Sequence, residues 1–127
     1  GSRRFVRRCR MEGFRLALVT GTSLHEVKKI LPEDLRKKFD VVVTGCDVRW
    51  GKPHPEPFKK ALRMLKLRPK DAIVIENAPL GISAAKRAGL RCLALETSLT
   101  RDYLKDADNI FSSYRELNEK VLFRRKA

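Results

Sequence analysis

Three short runs of the chain are apolar at every position, and they limit the possible folds more than any other feature. The runs are 41–43 (Val-Val-Val), 72–75 (Ala-Ile-Val-Ile) and 92–95 (Cys-Leu-Ala-Leu). A strand without alternating polar residues is buried on both faces, which is typical of a parallel sheet covered by helices on each side. Segments with helical spacing of apolar residues lie between these runs. The pattern therefore predicts an α/β fold with three layers and a Rossmann-like parallel sheet.

Turn and cap signals divide the rest of the chain into further elements. Residues 14–19 form an apolar run with a single Arg that predicts a further strand, and residues 109–111 predict a weak last strand. Helices are expected at residues 3–12, 24–31, 57–65, 82–88 and 116–123. Because no repeat or low-complexity linker interrupts this alternation, residues 1–127 are predicted to form one domain.

Basic residues strongly outnumber acidic ones. The chain has 29 Lys and Arg against 15 Asp and Glu, a formal net charge of +14. A surface with this charge attracts nucleic acid, anionic membranes or phosphorylated metabolites. The charge is also explained if the basic residues are simply solvated, or if the chain is part of a larger protein whose acidic residues lie elsewhere, and we favour these explanations. Apart from the terminal clusters at residues 3–10 and 124–126, the basic residues are dispersed, and no interleaved aromatic residues offer a stacking platform. Nucleic acid is therefore ranked last among the partners.

The three cysteines, Cys9, Cys46 and Cys92, are widely spaced and form no Cys-x-x-Cys pair. An odd number with this spacing argues against a disulfide framework or a zinc site. Cys46 and Cys92 lie in or beside apolar runs, so we expect both to be small core residues.

No apolar run reaches membrane-spanning length, and no signal peptide opens the chain. These features predict a cytoplasmic protein without a membrane partner.

Polar residues follow three of the predicted strands, at the sheet edge where ligands of parallel α/β proteins bind. Thr20 and Gly21 could cradle a phosphate there, and Lys52, in a loop stiffened by prolines, could neutralise it. Glu76 and Asn77 could bind a hard cation through oxygen. Each signal also has a simpler explanation. The residues at the two strand ends could merely cap the helices that follow, and Lys52 could be one exposed lysine among many.

Three segments that contain these residues resemble motifs II, III and IV of the haloacid dehalogenase (HAD) superfamily, in the same order. They are residues 16–23, 51–58 and 73–82, the last continuing through 84–89. The resemblance is greatest to the β-phosphoglucomutases and phosphoglycolate phosphatases, and it covers about residues 3–115. Each motif alone is a weak signal, whereas the three in order are specific.

The resemblance implies a Mg²⁺-dependent phosphatase or phosphomutase that acts on a small phosphorylated metabolite. It implies that Thr20 and Gly21 contact the transferring phosphoryl group, and that Lys52 bridges this group and a nucleophilic carboxylate. Glu76 and Asn77 stand at positions that help to hold Mg²⁺ in the family, where Asp is usual instead of Asn77. Because an amide brings no charge, metal affinity should be weaker or depend more on Glu76.

Two parts that the resemblance implies are missing from the sequence. One is the Asp-x-Asp strand that supplies the nucleophile and the general acid–base, and the other is the helical cap that selects the substrate. The only Asp-x-Asp, Asp106-Ala107-Asp108, follows a polar helical stretch and is interpreted as structural. The chain is therefore expected to be a partial HAD-like core domain, inactive alone. A non-catalytic phosphate-binding or scaffolding module is the alternative.

In the family the missing strand lies between the strand that ends at Thr20 and the strand that ends at Glu76. Without it, two sheet edges would stay open, which is an aggregation hazard. We therefore expect the gap to be closed, either by direct pairing of the two flanking strands or by a strand or surface from another chain, including a second copy. Unpaired edges at both strands would argue against closure.

Overall fold

The computed structural model describes residues 1–121, in which helices and parallel strands alternate. The helices are α1 (Ser2–Met11), α2 (Leu24–Ile30), α3 (Glu33–Arg36), α4 (Glu56–Leu65), α5 (Pro79–Arg87) and α6 (Tyr114–Lys120). The strands are β1 (Ala17–Val19), β2 (Val41–Val43), β3 (Ile73–Glu76), β4 (Arg91–Leu95) and β5 (Asn109–Phe111). The end of the predicted last helix, residues 122–123, and the basic cluster at 124–126 lie outside the described residues.

The strands form two parallel sheets. β1 pairs with β2, with Ala17 opposite Val41, and β4 pairs on one side with β3 and on the other with β5. All of these ladders are parallel, and α-helices connect β1 to β2 and β3 to β4. The predicted α/β class with a parallel, Rossmann-like sheet is therefore confirmed.

The side chains of β4 show why the sheet needs a helical layer on each face. Cys92 and Ala94 point into a core formed with α4 and α5, whereas Leu93 and Leu95 point into a core formed with α1 and α6. None of these four side chains is more than 3% exposed. The helices contribute the residues Phe58, Leu62, Ile82, Ala84 and Ala85 on the first face and Phe5, Cys9 and Leu117 on the second. Burial on both faces explains why residues 92–95 have no polar side chain, whereas Arg91, at the start of the strand, is exposed.

The first strand is shorter than the sequence predicted. Gly13 has a φ of +84°, and the amide of Phe14 donates to the carbonyl of Cys9, so the end of α1 turns sharply back. The amide of Leu16 then donates to Asp40 Oδ2 at 2.7 Å instead of entering a ladder. Residues 14–16 therefore belong to the connection, and only Ala17–Val19 form β1.

A gap separates β1 from β3. No ladder joins these two strands within residues 1–121, so the alternative that they pair directly is wrong. Each strand leaves an unpaired edge, which also argues against closure of the gap by any part of the described chain. The two sheets are instead held together by side chains: Val19 packs with the core that contains Val74, and Leu16 and Ile75 pack against the core under α1 and α6. Because the two helical layers fix the sheets from both faces, the fold is connected without backbone pairing across the gap.

Candidate functional site

The ion pair between Lys52 and Glu76 is the centre of the candidate site. Lys52 Nζ donates to Glu76 Oε1 at 2.7 Å and to the carbonyl oxygen of Val19 at 3.0 Å. The two side chains are 19% and 11% exposed, so water screens their attraction less than it screens a surface pair. The ammonium also lies 5.2 Å from the centre of the Phe58 ring. Lys52 thus connects the ends of β1 and β3 across the gap.

Thr20 and Gly21 follow Val19 directly and therefore lie beside this pair. The Thr20 amide donates to the Val43 carbonyl at 2.9 Å, and Thr20 Oγ1 accepts from the Thr22 amide at 3.2 Å. Ser23 Oγ accepts from the Glu26 amide at 3.2 Å, so the helix-capping turn that the sequence indicated is present. Gly21 is exposed, and a Cβ added to it would meet no atom within 4 Å.

The loop after β2 supports the loop after β1. The Gly45 amide donates to the Thr22 carbonyl at 2.8 Å, and a Cβ on Gly45 would lie only 2.3 Å from the carbonyl oxygen of Gly21. Asp47 Oδ2 accepts from the amide and hydroxyl of buried Thr44 at 2.7 and 2.8 Å. These hydrogen bonds hold the pKa of Asp47 below its usual range. Sequence reasoning missed both supports, although the Thr-Gly step at the strand end was a signal for a close backbone approach.

Glu56 shapes the loop that carries Lys52. Its carboxylate accepts from the Arg49 amide at 2.9 Å and from the Trp50 amide at 3.3 Å, and the first of these bonds is the main cause of its lowered pKa. Its own amide donates to His54 Nδ1 at 3.0 Å. These contacts close the loop on the first turn of α4. Sequence reasoning missed Glu56, because its partners are backbone amides that no residue pattern marks.

Asn77 faces a neighbouring cleft of about 180 Å³ at the same sheet edge. Its Nδ2 donates to Thr97 Oγ1 at 3.0 Å, while its amide donates to Glu76 Oε2 at 3.0 Å. Tyr114 also lines this cleft, and burial, followed by the charge of Glu76, raises the pKa of its hydroxyl. The cleft thus extends the site toward α6.

The described residues do not make up a Mg²⁺ site by themselves. One oxygen of Glu76 contacts Lys52 and the other contacts a backbone amide. Within residues 1–121 no group of three or more His, Cys, Asp or Glu side chains is arranged to hold a metal ion. Mg²⁺ prefers several oxygen ligands, so a site here needs oxygens beyond those of Glu76 and Asn77.

Asp108 lies at the opposite edge of the sheet, directly before β5 and beside the beginning of β4. Both of its oxygens accept from Lys86 Nζ at 2.8 Å, and Oδ2 accepts from the Cys92 amide at 2.7 Å. This agrees with the structural interpretation of the Asp-x-Asp sequence. A shallow depression of about 600 Å³ lies beside it, larger than the cleft at Asn77 but away from Lys52 and Glu76.

The environment of the cysteines differs in part from the prediction. Cys92 is buried, and burial raises the pKa of its thiol to about 12. Cys46, which was expected in the core, is exposed, because it lies in the turn that Asp47 closes after β2. Cys9, on the inner face of α1, is buried instead.

Comparison with known proteins identifies the family. Residues 1–89 match the profile described as haloacid dehalogenase-like hydrolase. The chain belongs to the HAD-like hydrolase family. Validoxylamine A 7'-phosphate phosphatase of Streptomyces hygroscopicus subsp. limoneus is 44% identical over 79 residues, 62% of this chain and 37% of that protein. Protein CbbY of Cereibacter sphaeroides is 37% identical over 110 residues, 83% of this chain and 48% of that protein.

Solved structures of HAD-family proteins have the same fold. CbbY from Rhodobacter sphaeroides in complex with phosphate matches 90% of this chain and 53% of its own, with a TM-score of 0.81 and 34% identity. The β-phosphoglucomutase of Clostridium difficile, at 21% identity, matches 94% of this chain and 54% of its own with a TM-score of 0.75. The profile match confirms the predicted membership of the HAD family, whereas the likeness to the β-phosphoglucomutase shows the shared fold alone. The chain spans about half the length, or less, of the relatives it matches.

The helices in the described part of the chain are all too short or too polar to cross a lipid bilayer.

Proposed function

We propose that this HAD-family chain forms the phosphate-binding part of a phosphatase or phosphomutase site for a small phosphorylated metabolite. The observation that carries the proposal is the position of Lys52, whose Nζ lies 2.7 Å from Glu76 Oε1 and 3.0 Å from the carbonyl oxygen next to Thr20. An ammonium and a carboxylate therefore meet at the ligand-binding edge of a parallel sheet, next to the residue that carries the proposed phosphate-binding hydroxyl. A relative named as a validoxylamine A 7'-phosphate phosphatase and a structure solved in complex with phosphate support this assignment.

In this proposal Thr20 and Gly21 bind the phosphoryl oxygens by donating hydrogen bonds from the hydroxyl and the backbone amide. Lys52 neutralises the charge of the phosphoryl group, and its low exposure makes this interaction stronger than it would be in water. Glu56 and Gly45 act indirectly, because they hold the two loops that carry these groups. Fixed donors need little rearrangement when the phosphate binds, which favours the transition state.

Glu76 and Asn77 are proposed to contribute oxygen ligands to Mg²⁺ together with carboxylates from outside the described residues. The ion would supply positive charge for the phosphoryl oxygens when bound. Glu76 would have to exchange part of its contact with Lys52 for the ion, since Oε1 is already engaged. Asn77 would use its carbonyl oxygen, because its Nδ2 donates to Thr97.

The nucleophile is proposed to come from a further strand between β1 and β3. Residues 1–121 place no Asp beside Lys52, and both strands facing the gap have an unpaired edge. A strand carrying Asp-x-Asp could pair with both edges, and it could belong to another segment of a longer protein or to another chain. Residues 1–127 would then be a partial core domain, inactive alone, in a reducing, cytoplasmic setting that suits its free cysteines.

Complementation tests the enzymatic proposal. The isolated chain should release no phosphate from an aryl phosphate with Mg²⁺, whereas a chimera with the part of CbbY that this chain does not match should do so. In that chimera Lys52→Ala should lower kcat by roughly 10²–10³-fold, the usual loss of a charge-stabilising group. Turnover by the isolated chain, or an unimpaired Lys52→Ala chimera, would contradict the proposal.

The second candidate is a non-catalytic phosphate-binding module, which is favoured by the engagement of both Glu76 oxygens within the chain. It predicts that inorganic phosphate perturbs the amide NMR signals of Thr20 and Gly21, and that no chimera gains activity. A basic nucleic-acid-binding role would instead appear as binding that weakens steeply with salt. The surface that such binding would need has no aromatic platform in the sequence.

A further inference from the structure

Gly81 lies in the first turn of α5, and the space that a side chain at this position would need is filled by the carboxylate of Glu76. A Cβ built on Gly81 would lie 2.1, 2.2 and 2.4 Å from Cδ, Oε1 and Oε2 of Glu76. Real Cβ atoms do not approach other heavy atoms this closely, so the Glu76 carboxylate fills the space that any other residue at 81 would use. Gly81 is also buried, which leaves a side chain no alternative direction into solvent.

The backbone itself gives no reason for a glycine at this position. Among the described glycines only Gly13 and Gly89 have a positive φ, and Gly81 has helical geometry within α5. Glycine inside a helix is less stable than alanine, because it loses more conformational freedom on folding. Glycine at position 81 therefore makes α5 less stable than alanine would, and the space taken by the Glu76 carboxylate explains why a glycine stands there.

We propose that Gly81 is a positioning residue for the Lys52–Glu76 pair. Without a side chain at 81, the carboxylate can lie against the start of α5, where Oε1 meets Lys52 Nζ at 2.7 Å and Oε2 meets the Asn77 amide at 3.0 Å. Any larger residue displaces the carboxylate and separates it from Lys52. The importance of Gly81 for phosphate chemistry rests on the proposed function, whereas its effect on the ion pair does not.

Gly81→Ala should leave the chain folded. The atoms that obstruct the new methyl group are the end of a flexible side chain, not backbone, so Glu76 can rotate away without moving the core, although it then loses its contact with Lys52. Alanine also favours the helix. The substitution should therefore act on the position of one carboxylate and spare the core.

The first test is the ¹⁵N NMR signal of the Lys52 ammonium group, recorded on the full chain at low temperature. An ammonium held in a partly buried ion pair exchanges its protons slowly, so the signal should be visible in the unmodified chain. In Gly81→Ala its exchange should be on the order of tenfold faster or more, since the hydrogen bond to a charged partner is lost. Ser83→Ala, in the same helix, should leave it unchanged. An unaltered Lys52 signal in Gly81→Ala would overturn the inference.

The second test compares melting temperatures in two backgrounds. In Glu76→Ala the carboxylate is gone, so adding Gly81→Ala should raise Tm by about 2–4 °C through helix propensity alone. In the unmodified chain the same substitution should raise Tm less or lower it. If Gly81→Ala does not fold alone, recovery in the double variant supports the contact with Glu76, and failure of both overturns it. Equal shifts in both backgrounds would also overturn it.

These measurements separate the inference from the proposed function. If chimeras with the missing strand and cap gave no turnover, the enzymatic proposal would fail, while the Lys52 signal and the two Tm shifts would still decide the role of Gly81.

Discussion

Lys52 Nζ lies 2.7 Å from Glu76 Oε1, and this contact joins the ends of two sheets that share no strand pairing. Each partner comes from a different side of the gap, because Lys52 also binds the carbonyl of Val19 at the end of β1. The pair therefore has a structural role whatever reaction the site supports. It is also the feature of the site that mutation can test most directly.

Removal of Lys52 should destabilise the chain. Lys52→Ala leaves the Glu76 carboxylate, which is 11% exposed, without its charged partner, and the free energy of unfolding should fall by about 1–3 kcal/mol. Urea denaturation measures the change. Lys59→Ala, at an exposed position on α4, should change stability by less than about 0.5 kcal/mol. The double variant Lys52→Ala/Glu76→Ala should lose less than the sum of the single changes, and strict additivity would contradict the pairing.

Gly45 should not tolerate a side chain. A methyl group at 45 would lie 2.3 Å from the Gly21 carbonyl oxygen, a backbone atom that cannot rotate away. We expect Gly45→Ala to cost about 1–3 kcal/mol of stability, as overpacking usually does. Gly51→Ala is the matched control, because a Cβ there meets no atom within 4 Å. Thermal unfolding of the two variants should therefore differ clearly, and equal stabilities would contradict the packing of the two loops.

The stability of the chain should depend on Asp108 only above the pH at which carboxylates titrate. Lys86 and the Cys92 amide hold the pKa of Asp108 below its usual range. Because the folded pKa is lower than the unfolded one, the stabilisation is present at neutral pH and is lost as the pH falls below about 4 toward the folded value. Asp108→Asn should therefore lower Tm at pH 7 and have little effect at pH 2. The exposed Asp106→Asn is the control, and a difference that does not change with pH would contradict this prediction.

The three cysteines should differ in reactivity. Cys9 and Cys92 are buried, and burial raises the pKa of both thiols, that of Cys92 to about 12, whereas Cys46 is exposed. Only the thiolate is the nucleophile, so a disulfide reagent at pH 8 should modify one thiol of the folded chain quickly. The other two should react after unfolding. Cys46→Ser should remove the fast phase. Fast reaction of another thiol in that variant would contradict the burial of Cys9 and Cys92.

The sequence predicted the strands best where burial is greatest. The runs at 41–43, 72–75 and 92–95 contain or overlap β2, β3 and β4. The reason is clearest at residues 92–95, which are buried on both faces and therefore apolar at each position. The run at 14–19 was predicted too long, since the turn after α1 and the bond from Leu16 to Asp40 are not visible in hydrophobicity. Cys46 was misplaced for a similar reason, because its exposure is a result of the turn closed by Asp47.

By itself the sequence determined the α/β class, the parallel strands and the family, because these follow from local apolar runs and from motifs at strand ends. It also placed Lys52 and Glu76 at one sheet edge, since parallel strands all end on the same side. Only the tertiary structure decided that β1 and β3 stay apart, that Lys52 and Glu76 meet across that gap, and that Gly45, Glu56 and Gly81 hold the surrounding loops and carboxylate. These contacts depend on how two helical layers position separate sheets, and residues far apart in the chain are brought within hydrogen-bonding distance by that packing alone.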